Sequence, residues 1–143
     1  MQESKTNGSL YIQKKYYFYA GHRNHSAGVK CGRLHGHTYD VTCKFQFSNL
    51  KNGITMLFSD IDEKVEPIIK YYDHYFIFNQ DDSLVPVLEM ENEPIRKVPF
   101  DTSAENMAIW IFQRIRNEAG LPIVKIELAE TKSSTVIYEE AIS

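Results

Sequence analysis

No apolar run in this 143-residue chain approaches the roughly 20 residues that cross a bilayer as a helix. The first nine residues, Met1 to Ser9, lack the apolar core of a secretory signal. Charge of one sign is missing too: 16 Lys and Arg against 19 Asp and Glu leave a net −3. That balance excludes a global electrostatic footprint for nucleic acid or an anionic membrane surface. Any phosphate must be held by a local basic cluster. Cysteine is scarce, with only Cys31 and Cys43, too few for a disulfide framework, and two thiols are more often free in a reducing compartment. These absences predict a cytoplasmic protein. There is no internal repeat and no low-complexity segment. What is present is a rather aromatic globular composition, 43% hydrophobic and 13% aromatic, and a length that suits one domain over residues 10–143 behind a flexible tail at 1–9.

Leu10 to Ala20 is rich in aromatic and β-branched residues and predicts a strand. A polar loop with Gly28 and Gly32 follows. From Gly36 to Ser48, Tyr39, Val41, Cys43, Phe45 and Phe47 alternate with polar residues. That period of two predicts a half-buried antiparallel strand. Ser59 and Asp60 can cap a helix over about 61–72, with Ile61, Val65, Ile68 and Ile69 at helical spacing. Residues 75–101, with prolines at 86, 94 and 99, read as an irregular connection with short extended pieces near 76–78 and 85–88. Thr102 or Ser103 can cap a second helix over about 104–118, with Glu105 placed for a capping box if Thr102 is the cap. Two strands, 123–128 and 135–140, complete the sequence around a turn at 130–134. The order predicts an α+β domain: a four-stranded antiparallel sheet with two helices on one face, ββααββ.

The chemistry gathers in Cys31-Gly-Arg-Leu-His35-Gly-His37. On a strand, residues two apart project from one face, so His35 and His37 can offer two nitrogens to one tetrahedral zinc. His22, at the end of the first strand, can be brought alongside by antiparallel pairing. His25 is the rival third ligand. Three neutral imidazoles with an open fourth position describe a catalytic zinc, a Lewis acid toward a carbonyl or hydroxyl. Cys31 can be a fourth ligand, which would make the site structural, or a separate acid/base with a lowered pKa. Asp73-His74 puts a carboxylate beside an imidazole at a helix exit, which suits a proton shuttle. Glu130, at a strand end, can accept two N–H donors from a heterocycle. Taken alone, the last two also fit solvated surface residues.

These features, in order over nearly the whole length, resemble the 6-pyruvoyltetrahydropterin synthase / 6-carboxytetrahydropterin synthase family. They are Phe18-Tyr-Ala-Gly-His22-Arg23, the Cys31 to His37 run, Asp73-His74, Ser103-Ala-Glu105-Asn106 and Glu130-Thr131. The three-residue gap between the cysteine and His-Gly-His resembles the carboxytetrahydropterin branch. The resemblance implies the tunnelling fold (T-fold), assembled as trimers or hexamers with active sites between subunits. It implies zinc on His22, His35 and His37, Cys31 as general base, and Asp73 and His74 as a partner proton relay. It also implies Glu130 as pterin anchor, with Glu105 and Ser103 lining the pocket. The implied reaction converts 7,8-dihydroneopterin triphosphate to 6-carboxy-5,6,7,8-tetrahydropterin, losing acetaldehyde and triphosphate, on the route to queuosine and other deazapurines. The alternatives are triphosphate elimination alone, giving the 6-pyruvoyl product, or zinc and pterin binding without turnover. Lys14, Lys15, Arg23, Lys30 and Arg33 are candidates for the triphosphate. One departure is Leu57, where the family pattern has an acidic residue before the phenylalanine; its role would be absent or moved to Asp60.

Overall fold

The computed structural model describes residues 2–24, 28 and 30–142. Strand β1 runs Glu3–His22 and β2 His35–Lys51. Helix α1 spans Phe58–Lys70, β3 Tyr75–Asn79, α2 Leu84–Met90, β4 Ile95–Val98 and α3 Ala104–Asn117. Strands β5, Ile123–Thr131, and β6, Ser134–Glu139, complete one six-stranded sheet in the order β4-β3-β1-β2-β5-β6.

The α+β expectation holds, but the count changes from four strands and two helices to six and three. The sheet is also mixed: β1 pairs β3 in parallel, and β3 pairs β4 in parallel. The difference lies in the supposed irregular connection. Tyr75-Phe-Ile-Phe-Asn pairs as β3, and parallel strands joined in sequence need a crossover, which α2 supplies. The extended piece expected at 85–88 is therefore helical. Pro86 does not break α2 because it sits in the first turn, where a backbone N–H has no intrahelical acceptor. The first strand also begins at Glu3 rather than Leu10, since Glu3 to Lys5 pair with Lys51 to Asn49.

Side-chain alternation decides what each strand buries. Tyr16, Phe18, Ala20 and His22 of β1 face the helices, and so do Tyr39, Val41, Cys43 and Phe45 of β2, all buried. They pack with Ile61, Val65 and Ile69 of α1 and Met107, Ala108, Ile111, Phe112 and Ile115 of α3 in one core. The other face of β1 leaves Tyr11, Tyr17 and Tyr19 exposed. Helix α3 is capped by Ser103, whose hydroxyl accepts from the Asn106 amide at 3.1 Å. Thr102 is thereby free for another task. Among the described residues, no helix is long and apolar enough to cross a membrane.

Candidate metal centre and proton-relay pair

Antiparallel register sets His22 directly opposite His35 and Ala20 opposite His37. Since 22, 35 and 37 all fall on the helix-facing side of their strands, the three imidazoles converge at one end of the sheet. Their ring centroids are 4.6, 4.8 and 5.2 Å apart, and one donor nitrogen from each lies within 4.8 Å of the others. His22 is 3% exposed. Its Nδ1 lies 2.9 Å from the Thr102 carbonyl oxygen and 3.0 Å from the Thr102 hydroxyl. His35 Nδ1 donates to the Arg33 carbonyl at 2.6 Å.

A metal ion fits this cluster on the evidence of its own atoms. The Nε2 atoms of His22 and His37 are buried and have no hydrogen-bond partner, an arrangement that costs free energy unless something fills it. Burial, with the neighbouring His35 and His37, pushes His22 down to about 4. Burial also lowers His37, against the opposing pull of Glu130. At neutral pH these rings are neutral, the form that ligates a cation. Glu130 continues the buried row of Ile126 and Leu128 along β5, so it shares the imidazole face. One of its carboxylate oxygens is 3.6 Å from His37 Nε2. The Cys31 thiol is exposed and is not among the gathered donor atoms. Its backbone carbonyl accepts from the Asn24 amide at 2.9 Å, closing the loop two residues after His22. His25 lies outside the described residues.

Asp73 and His74 form a second group at the start of β3. Asp73 accepts the Tyr19 amide at 2.8 Å with one oxygen and meets His74 Nδ1 at 2.9 Å with the other. His74 donates its own amide to the Tyr19 carbonyl at 2.7 Å and adopts φ 64°, a left-handed conformation uncommon for a non-glycine residue. Burial pushes the Asp73 carboxyl up, but the Tyr19 amide and His74 more than offset it, and the net shift is downward. The carboxylate thus stays ionised to hold the imidazole, whose side chain is 74% exposed. Its ring meets Tyr19 edge-on at 5.4 Å, on the face of β1 away from the helices. A cleft of about 480 Å³ runs along this region, with Tyr19, Gly36, His37, His74 and Phe76 among its lining residues.

The other expected site residues are not drawn in so closely. Glu105 is exposed in the first turn of α3, and Ser103 is occupied as the cap. Two of the five triphosphate candidates are committed elsewhere. Lys14 pairs with Asp62 at 3.2 Å, and the Arg23 guanidinium forms a two-pronged pair with Asp82, one bond at 3.0 Å. Sequence reasoning missed Thr102, seen only as a helix cap; a contact 80 residues away from His22 leaves no local signal.

A small α+β domain with a three-histidine cluster at a strand end that could hold a metal ion, and a separate Asp–His pair, defines the class: a T-fold-type protein with a candidate metal site. The chain belongs to the 6-pyruvoyl tetrahydropterin synthase family, whose model matches residues 11–141. It is 33% identical over 138 residues to a 6-carboxy-5,6,7,8-tetrahydropterin synthase of Haemophilus influenzae, covering 90% of this sequence and 98% of that one. Against the same enzyme of a Synechocystis strain it is 30% identical over 134 residues, covering 89% and 91%. In structure it resembles an uncharacterized protein of Wolinella succinogenes, with TM-score 0.77 and 21% identity over 93% of this protein and 99% of that one. It also resembles the 6-pyruvoyl tetrahydropterin synthase of Plasmodium falciparum, with TM-score 0.74 and 21% identity over 95% and 100%. These structural likenesses establish the shared fold. The family and its curated relatives make this protein a lyase of the tetrahydropterin synthase type.

Proposed function

We propose that the protein is a zinc-dependent 6-carboxytetrahydropterin synthase, converting 7,8-dihydroneopterin triphosphate and water to 6-carboxy-5,6,7,8-tetrahydropterin, acetaldehyde and triphosphate. The observation that carries this reading is the pair of orphaned Nε2 atoms in the His22, His35 and His37 cluster, in a sequence about 30% identical to enzymes of that name. When bound there, zinc supplies Lewis-acid polarisation of the substrate's side-chain oxygens.

The protein's own residues have these roles. Glu130, on the imidazole face, accepts N–H donors from the pterin ring and so fixes its side chain over the cluster. Glu105 and Ser103 line the pocket from the start of α3. Cys31, exposed and outside the donor cluster, takes the proton from a carbon of the substrate's side chain, the loss that begins triphosphate elimination. His74, held by Asp73, returns a proton on the other side. Lys30 and Arg33, in the turn that leads into His35, are the candidates left near the cluster for gripping the triphosphate. Because His74 lies on the face of β1 opposite the cluster, the relay pair serves the cluster of another copy, with active sites between subunits of a trimer or hexamer.

Incubation with dihydroneopterin triphosphate tests the reading: acetaldehyde and triphosphate are released, and mass spectrometry finds the 6-carboxy product. The 6-pyruvoyl mass in its place moves the protein to the other branch. Cys31→Ala abolishes turnover while leaving bound zinc unchanged; a fully active variant overturns the role of Cys31.

A further inference from the structure

Thr102 is 2% exposed and is not needed to cap α3, because Ser103 does that. Its side chain instead stands between two groups at the end of β1. The hydroxyl lies 3.0 Å from His22 Nδ1 and donates to the Arg23 carbonyl at 3.2 Å. A hydroxyl has one proton. Once that proton is committed to Arg23, the oxygen can only accept from His22. The Thr102 carbonyl, 2.9 Å from the same Nδ1, can also only accept. Both partners therefore require the proton on Nδ1, which leaves Nε2 as the bare lone pair, and Nε2 is the buried His22 atom without a partner.

We propose that Thr102 is a positioning residue for His22: its hydroxyl, held between His22 Nδ1 and the Arg23 carbonyl, fixes the tautomer and ring orientation that aim Nε2 at a metal ion. The inference rests on the metal-binding part of the reading above. It also gives the 79–103 segment a purpose. Arg23 is tied to Asp82, and Asp82 accepts the Leu84 amide at 2.8 Å at the start of α2. The strand end that presents His22 is thus held from both ends of that segment. Partners of this kind, bonded to the non-ligating nitrogen, typically carry about 10- to 100-fold in metal affinity when removed.

The experiment measures zinc affinity of the purified apo-protein by competition with a chromogenic chelator. Thr102→Val keeps the shape and the backbone carbonyl but deletes the hydroxyl, and zinc binds about 10- to 100-fold more weakly. Thr102→Ser restores the hydroxyl and returns affinity to within a few-fold of wild type. Equal affinity of wild type and Thr102→Val, or equal weakness of Val and Ser, overturns the inference. Nitrogen NMR of His22 in the wild-type apo-protein tests the tautomer that both acceptors on Thr102 require, independently of how the Val variant folds. An Nδ1–H tautomer supports the inference and an Nε2–H tautomer overturns it. A wild-type protein that binds no zinc overturns the metal-site reading itself, a result distinct from a tight-binding Thr102→Val.

Discussion

Gly21→Ala is a small change with a large expected effect. Gly21 pairs with Gly36 on one side and with Phe76 of β3 on the other. A Cβ at Gly21 would lie 2.7 Å from Phe76 Cδ1 and 2.8 Å from Cε1. Ordinary carbon contacts are about 3.5–4.0 Å, so the ring or the β1–β3 pair must give way by about 1 Å. Overpacking of this kind costs about 1–3 kcal/mol. The lower chain entropy of Ala returns about 0.5–1 kcal/mol of that. At mid-range, about 2 less about 0.75, the net destabilisation is about 1.3 kcal/mol, a fall in Tm of roughly 3–5 °C for a domain near this size. Thermal and urea unfolding followed by circular dichroism measure it. Phe76→Ala makes room for the added methyl, so the double variant is more stable than the sum of the single effects by about 1–2 kcal/mol. A Gly21→Ala protein as stable as wild type, or strict additivity in the cycle, refutes the close-approach reasoning.

Three further outcomes are expected. With iodoacetamide under native conditions, intact-mass spectrometry finds only Cys31 alkylated, since Cys43 is fully buried and burial pushes its thiol up to about 12; fast native labelling of Cys43 contradicts the core packing. Asp73 has a folded-state pKa below its unfolded value, so its contribution is present above about pH 4 and is lost as pH falls through the lower folded value. The stability gap between wild type and Asp73→Asn, followed by urea unfolding, therefore closes in acid, and a gap that stays constant with pH defeats the assignment. Kinetics with dihydroneopterin triphosphate show KM rising about tenfold or more for Arg33→Ala and Lys30→Ala. Lys14→Ala, already paired with Asp62, leaves KM unchanged, and the reverse order removes Lys30 and Arg33 from the triphosphate.

What could be read in advance followed how local the signal was. The alternation from Tyr39 to Phe45 reports β2 because each residue carries its own face assignment. It also carries His35 and His37 to the same face as the core. Helix α3 was equally legible, since Ser103 and Met107 to Ile115 mark its start and its buried stripe. Strand β3 was legible only as a short extended piece near 76–78 and β4 not at all, because five and four residues are too few for a period to stand out, and the segment around Pro86, read as extended, forms α2. Contacts made by side chains over long sequence separations left no trace at all. Thr102 meets His22 across 80 residues, and Asp82 meets Arg23 across 59. Arg23 looked like a free cation for the substrate because its partner's proximity is a property of the fold alone.

The same alternation constrains the chemistry. Tyr19, against which His74 packs, and His22 differ by an odd number on one strand, so they point to opposite faces. Side chains extend about 5 Å from a sheet, as the spacing of about 10 Å between stacked sheets implies. The His74 ring and the three-histidine cluster are therefore separated by the thickness of the backbone and its side chains. A direct route exists only where side chains are missing, at Gly21 and Gly36, and the Phe76 ring covers Gly21 closely enough to exclude a methyl. Within one subunit the His74 ring and the side of the cluster that faces the helices therefore lie on opposite faces, although the cleft on the His74 face reaches His37 at its edge. On the proposed inter-subunit reading, the cluster of one copy faces the Asp–His pair of another. Mixing His22→Ala with His74→Ala subunits would then restore activity in about one site in four, as random pairing in a closed oligomer requires. If both groups acted within a single subunit, every mixed site would stay dead.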